Sequence, residues 1–232
     1  EVLLAAMLHD VDDRKYFKNH KNFENARALM TCACISAETQ ASVTKMIGYV
    51  SCSKNLNRIP DEAKSRPWIL IPRYCDRLEA IGWVGIIRAW EYTEETKGEL
   101  WLPETARAKN REDLWKIAIP ERYKEYFRSG GKSNSLVDHF YDKLLHLPKE
   151  EMGNSYLNDE KVERFFPMAA FCIHFGKCGK VEKSVLEFAK KRQSEEDTRL
   201  IKRVASIMTA SESMIAAILK ITNMTSIHTA DN

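Results

Sequence analysis

Apolar residues recur at helical spacing along nearly the whole chain, and alternation of the strand type is scarce. The clearest stripe is Ile71, Tyr74, Leu78, Ile81 and Val84, extending toward Ile87. Spacings of three, four and seven residues place such side chains on one face of a helix, where they can be buried together. Val2, Leu3, Ala6 and Met7 predict a first helix running into His9-Asp10. Phe23, Ala26, Arg27 and Met30 predict a second, and Val43, Met46, Ile47 and Val50 a third. Val137, Phe140, Tyr141, Leu144 and Leu145 predict another, opened by Ser133 or Ser135 as a cap. The almost wholly apolar run from Phe165 to Phe175 reads as a central helix, punctuated at its end by Gly176 and Gly179. The fold class expected is therefore all-α.

The interruptions organise these helices. Pro60, Pro67 and Pro72 separate the third helix from the Ile71 stripe. The polar stretch from Tyr92 to Gly131 carries Gly98, Pro103, Pro120 and the Gly130-Gly131 pair, and reads as a long loop or insertion with short helices. Residues 180–220 are charged and amphipathic, and predict two helices. The expected organisation is a domain over 1–178 and a helical C-terminal extension over 179–232.

Composition narrows the function. The 36 Lys and Arg against 33 Asp and Glu leave a net charge of +3, too weak to argue for a nucleic-acid polymer as partner. No charge-free apolar run of about 18 residues appears, so no membrane span is expected. The first residues lack the basic region and cleavage site of a signal peptide. The six cysteines form no C-x-x-C pair and read as reduced thiols, with a cytoplasmic location expected.

Two motifs carry chemistry. His9-Asp10 closes the first helix. Neighbours on a helix point about 100° apart, so both can serve one site only where the chain opens at the helix end. An imidazole nitrogen beside a hard carboxylate oxygen suits Mn²⁺, Fe²⁺ or Zn²⁺, and Mg²⁺ less well. Asp76 and Glu79 stand three residues apart on one face of a mostly apolar helix. Carboxylates there need pairing or a metal, and the plain alternative for Asp76 is an ion pair with Arg73 or Arg77. Gly82 and Gly85 permit close helix packing rather than phosphate cradling, because no strand precedes them. His20 reads as a second-helix or surface residue.

Three segments together resemble the HD-domain metal-dependent phosphohydrolases, and among them the bacterial-type branch that hydrolyses nucleotides. They are LLAAMLHDVDDRKYF at 3–17, CDRLEAIGWVGIIRAWEY at 75–92 and KSNSLVDHFYDKLLHL at 132–147. Their order matches, and the separation of 66 positions from Asp10 to Asp76 suits that family's spacing. The resemblance covers about 1–176 and implies an HD helical bundle lacking its N-terminal helix or helices. It implies His9, Asp10 and Asp76 as metal ligands, with Mn²⁺ favoured and Mg, Fe, Co, Ni or Zn as alternatives. The family's further histidine ligand would precede Glu1.

The implied reaction is hydrolysis of a phosphate ester or anhydride in a nucleotide or other phosphorylated small molecule. It would be pyrophosphate release from a triphosphate or phosphate release from a monophosphate. Asp13 or Glu79 would orient or deprotonate the attacking water. Lys15, Arg77, Lys132 and Lys143, with His139 donating hydrogen bonds, are the candidates for holding substrate phosphates. Two other readings stand beside this one. The chain would bind nucleotides without catalysis, or its helical tail would make it a scaffold or homo-oligomer. Val181, Val185, Phe188 and Ala189, then Leu200, Ile201, Val204 and Met208, supply the apolar faces for the last reading.

Overall fold

A computed structural model describes residues 1–13, 17–51, 55 and 58–227, with 207–227 as backbone only. The chain is about 70% helical, and no strand occurs among the described residues, so the fold is all-α. It divides into two units, Glu1–Leu186 and Glu187–Asn232.

In the first unit, α1 (Val2–Leu8), α3 (Ala37–Val50) and α5 (Ile71–Glu79) pack on one another. Ala5, Val43, Met46, Ile47, Tyr74 and Leu78 fill the space between them. α3 is opened by Ser36, whose side chain accepts from the Thr39 N–H and so satisfies one of the open donors of the first turn. The short α4 (Glu62–Ser65) and a 3-10 turn (Pro67–Leu70) lead into α5, which carries Pro72 in its first turn. Proline is tolerated there because that turn has no intrahelical use for its N–H.

The Ile71 stripe does not form one helix. α5 ends at Glu79, Ile81 is extended, and α6 (Gly82–Glu95) begins with Gly82 at φ +80°. That left-handed conformation is open to glycine at little cost. The break redirects the chain while Ile81 and Ile86 stay in the core. Both glycines then serve close approach. A Cβ on Gly82 would stand 3.1 Å from Arg164, and one on Gly85 only 2.5 Å from the Ala80 carbonyl oxygen.

α6 packs along α10 (Ser155–Cys178), the central helix, which buries Met168, Phe171, Cys172 and Phe175. Gly179 closes α10 in the left-handed conformation and donates to the Phe175 carbonyl at 2.7 Å. Gly176 has a different role from the expected punctuation. It lies within α10 where the Ala108 backbone crosses, and a Cβ there would meet the Ala108 carbonyl oxygen at 1.9 Å.

The polar stretch from Tyr92 to Gly131 carries short helices, as expected. It contributes the last turn of α6, then α7 (Arg111–Ile117) and α8 (Pro120–Arg128). α9 (Leu136–Asp142) follows, capped by Ser135 through the Asp138 N–H. A second 3-10 turn (Leu144–Lys149) leads to α10. The last helix, α11 (Lys183–Ile227), is continuous where two helices were expected. No glycine or proline falls between residues 183 and 227 to break it. No helix among the described residues is long and apolar enough to cross a membrane.

Candidate functional site

The C-terminal end of α1, one face of α5 and the exposed side of α6 enclose a cleft of about 310 Å³. α1 supplies Ala6, with His9 and Asp10 just beyond its end. α5 supplies Pro72, Cys75, Asp76 and Glu79, and α6 supplies Arg88. The α5 residues follow the helical repeat, so the face opposite the Tyr74 and Leu78 core stripe is the one turned to the cleft.

The opening of the chain after His9 has a local cause. Asp12 reaches forward to α2 (Glu24–Cys32) and accepts from the N–H groups of Asn25 at 2.9 Å and Ala26 at 3.0 Å. Asn25 returns a bond from its amide nitrogen to the Val11 carbonyl at 2.7 Å, and His20 Nδ1 bonds to Asp12 at 2.9 Å. Burial acts to raise the Asp12 pKa. The Ala26 and Asn25 N–H groups and His20 outweigh it and hold the carboxyl below its usual value. This remote cap compensates for an α2 start at Phe23 with φ +60°. It also pins the turn that lets His9 and Asp10 both reach the cleft. His20 stacks on Phe17 at 4.8 Å and serves this cap, not the cleft.

His9 Nδ1 donates to the Ala6 carbonyl at 2.8 Å, which leaves Nε2 facing the carboxylates. Nε2 stands 3.2 Å from Asp10 Oδ2 and 3.8 Å from Asp76 Oδ1. The pKa of His9 is raised to about 9. The hydrogen bond with Asp10 is the largest cause, opposed by burial and supported by the Ala6 carbonyl and the charges of Asp10 and Asp76. Asp76 has a second partner as well. Its Oδ2 accepts from Arg77 Nη1 at 2.7 Å. The ion-pair expectation for Asp76 is met by Arg77 on one oxygen, and the other oxygen faces His9.

Arg77 does not line the cleft, contrary to its expected role with substrate phosphate. It is buried behind Asp76, donates to the Val50 carbonyl at 3.0 Å and lies 3.8 Å from Glu150. Arg73 reaches the other oxygen of Glu150 at 3.5 Å. The two arginines and Glu150 form a buried ionic triad that fixes the back of α5.

The remaining expected residues divide. Glu79 lines the cleft. Asp13 does not line it, although its N–H donates to the Asp10 carbonyl at 3.0 Å. Lys132, His139 and Lys143 do not line it. His139 packs on Tyr126 with ring centroids 5.5 Å apart and contacts the Ser133 hydroxyl at 3.4 Å. Burial, then the charge of Lys143, pushes its pKa down to about 3, so its imidazole is neutral. The Lys143 ammonium lies 5.7 Å from the centre of the Tyr126 ring. Beside them Asp138 accepts from Thr105, Ser135 and Arg122, which ties α8 and α9 together. The helical repeat of this segment is real, but it builds structure rather than the cleft wall. Lys15 lies outside the described residues.

Sequence reasoning missed Arg88, Cys75 and Asp12. Arg88 had a signal, as the one cation in the otherwise apolar run from Ile81 to Trp90. Cys75 shares the face of Asp76 and Glu79. Burial and the charges of Glu79 and Asp76 push its pKa up, so it remains a thiol.

His9, Asp10 and Asp76 bring together an imidazole nitrogen and carboxylate oxygens, atoms of the kinds that ligate divalent ions. Two ligand atoms each about 2.1 Å from one ion stand about 3 to 4.2 Å apart, depending on the angle between them. The separations of 3.2 and 3.8 Å from His9 Nε2 lie in that range. Among the described residues, no group of three or more His, Cys, Asp or Glu side chains is placed so that it could hold a metal ion.

No protein-family model matches the chain. Uncharacterized protein L803 of Acanthamoeba polyphaga mimivirus is 35% identical to it over 190 residues, covering 75% of this chain and 76% of the viral protein. The chain belongs to the L803 family. The crystal structure of a Lactobacillus plantarum protein matches this L803-family chain with a TM-score of 0.51 at 23% identity. The match covers 75% of this chain and 73% of that one, and it shows a shared fold.

Proposed function

We propose that this protein is a metal-dependent phosphohydrolase acting on nucleotides, of the HD type that its three sequence segments resemble. The observation that carries the reading is the orientation of His9. Its Nδ1 is held by the Ala6 carbonyl, and its Nε2 faces the carboxylate of Asp10, just beyond α1, and that of Asp76 on α5. His9, Asp10 and Asp76 would hold the ion, with Mn²⁺ favoured. Bound there, it supplies a Lewis acid and a water of lowered pKa.

The protein's own groups do the rest. Arg77 fixes one oxygen of Asp76 and so orients the other toward His9. Glu79 places a carboxylate at the cleft wall, where it can accept a proton from water. Water oxygen then bonds to phosphorus, the bond from phosphorus to the leaving oxygen breaks, and that oxygen takes up a proton. The volume of about 310 Å³ stands at the low end for small-ligand pockets and suits a single small phosphorylated molecule.

The test is turnover. Metal-stripped protein is supplied with Mn²⁺, Mg²⁺, Fe²⁺, Co²⁺, Ni²⁺ or Zn²⁺ and a panel of nucleoside mono- and triphosphates, with products separated by chromatography. The reading expects metal-dependent hydrolysis that Asp76→Ala abolishes. The products distinguish phosphate from pyrophosphate release. Turnover equal in the variant, or none with any ion, rejects it. A second reading is nucleotide binding without catalysis: Asp76 is already paired with Arg77, and the cleft still offers a cation, Arg88, to an anionic ligand. That reading expects saturable binding of the same nucleotides with no product.

A further inference from the structure

Of the side chains that line the cleft, three are carboxylates, Asp10, Asp76 and Glu79, and one is a permanent cation, Arg88. Left to itself, such a wall repels a phosphate. An ion held by His9, Asp10 and Asp76 would cancel part of that charge, yet Glu79 would still face the ligand. An anionic group entering the cleft therefore needs a further positive partner. The lysines and histidine of the 132–147 segment do not line it, and Arg77 lies buried behind Asp76. Arg88 meets the need in position and chemistry. It sits exposed on α6 at the cleft, and its Nη1 donates to the Glu79 carbonyl at 3.2 Å. That bond tethers the guanidinium near the end of α5 while using one of its five N–H donors. Its guanidinium is not ion-paired with the Glu79 carboxylate, so its charge is not already neutralised by that neighbour.

We infer that Arg88 is the residue that grips the phosphate of the substrate, opposite the carboxylates that would hold the metal. This rests on the phosphohydrolase reading and adds to it a substrate-binding group outside the expected set. A planar guanidinium matches two phosphate oxygens at once, which an ammonium does not. Arg88→Lys should therefore keep the charge and lose much of the grip.

The experiment measures binding of inorganic phosphate to the Mn²⁺-supplied protein by calorimetry, alongside the KM for the nucleotide turned over. Arg88→Ala should weaken phosphate binding about tenfold to a hundredfold, the worth of hydrogen bonds to a charged group. Arg88→Lys should fall between it and the parent. Arg128→Ala, an exposed cation on α8 away from the cleft, should bind as the parent does. Circular dichroism checks that each variant is folded, which the exposure of Arg88 favours.

Phosphate binding unchanged in Arg88→Ala overturns the inference, even if hydrolysis is observed. Phosphate failing to bind the parent protein overturns it as well. Arg88-dependent phosphate binding without any nucleotide turnover sustains the binding role and removes the hydrolase reading, so the two failures are separable.

Discussion

Replacing Glu150 with alanine should destabilise the first unit markedly. Both Glu150 oxygens are buried and neither makes a hydrogen bond, so their compensation is ionic, from Arg73 at 3.5 Å and Arg77 at 3.8 Å. Removing one member of a buried ionic set typically costs about 3–5 kcal/mol, because the charges left behind lose their compensation. Here the lower end applies. The contacts are long, and both arginines keep backbone acceptors, Arg73 on Tyr49 and Arg58 and Arg77 on Val50. A loss of about 3 kcal/mol lowers the melting temperature by roughly 6–12 °C in a protein of this size. Thermal unfolding followed by circular dichroism measures it. Glu150→Gln should fall between parent and Glu150→Ala, since it keeps the shape and loses the charge. A melting temperature for Glu150→Ala within about 2 °C of the parent refutes the reasoning, and would mean that water or a rearranged neighbour already compensates the arginines.

Two further outcomes test other parts of the structure. In metal-free protein His9 should titrate at about 9, and Asp10→Asn should move it down toward the ordinary value of 6.5. Because the folded pKa lies above the unfolded one, the associated stabilisation is full below about pH 6.5 and is lost as pH rises through about 9. An NMR titration of the His9 ring proton reads this directly, and an inflection at or below 6.5 contradicts the geometry. Gly176→Ala should destabilise despite alanine's better helix propensity, worth about 1 kcal/mol. Its Cβ would press on the Ala108 backbone at 1.9 Å, an overpacking cost of about 1–3 kcal/mol or more. A raised melting temperature would contradict that contact.

Much of the fold was legible because amphipathic helices report their buried face locally. The Val43, Met46, Ile47 and Val50 stripe is the buried face of α3, and the Ser135 cap opens α9. The break at Gly82 was not legible. Ile81 and Val84 continue the apolar repeat across it, and the left-handed backbone leaves no mark in a hydrophobic pattern. Asp12 was missed for a different reason. It caps a helix from some fourteen residues upstream, and capping signals are read from adjacent sequence.

The cleft was legible in part for the same reason. Asp76 and Glu79 share a face by spacing alone, and His9-Asp10 stands at a helix end. Periodicity shows which residues share a face, not which faces meet. The 132–147 segment has the expected helix, yet Lys132, His139 and Lys143 do not line the cleft, with His139 and Lys143 against Tyr126. Arg88 comes to the cleft because the chain turns between α5 and α6, and only the folded structure shows that turn.

We propose that His9, Asp10 and Asp76 hold a divalent ion at this cleft. Titrating metal-stripped protein with Mn²⁺ and counting free ion by electron paramagnetic resonance tests it without requiring a substrate. One saturable site is expected, which tightens as pH rises toward 9 because the ion must displace the His9 proton, and which Asp76→Asn and His9→Ala each abolish. Absence of saturable binding in the parent protein, or binding unchanged in both variants, would contradict it.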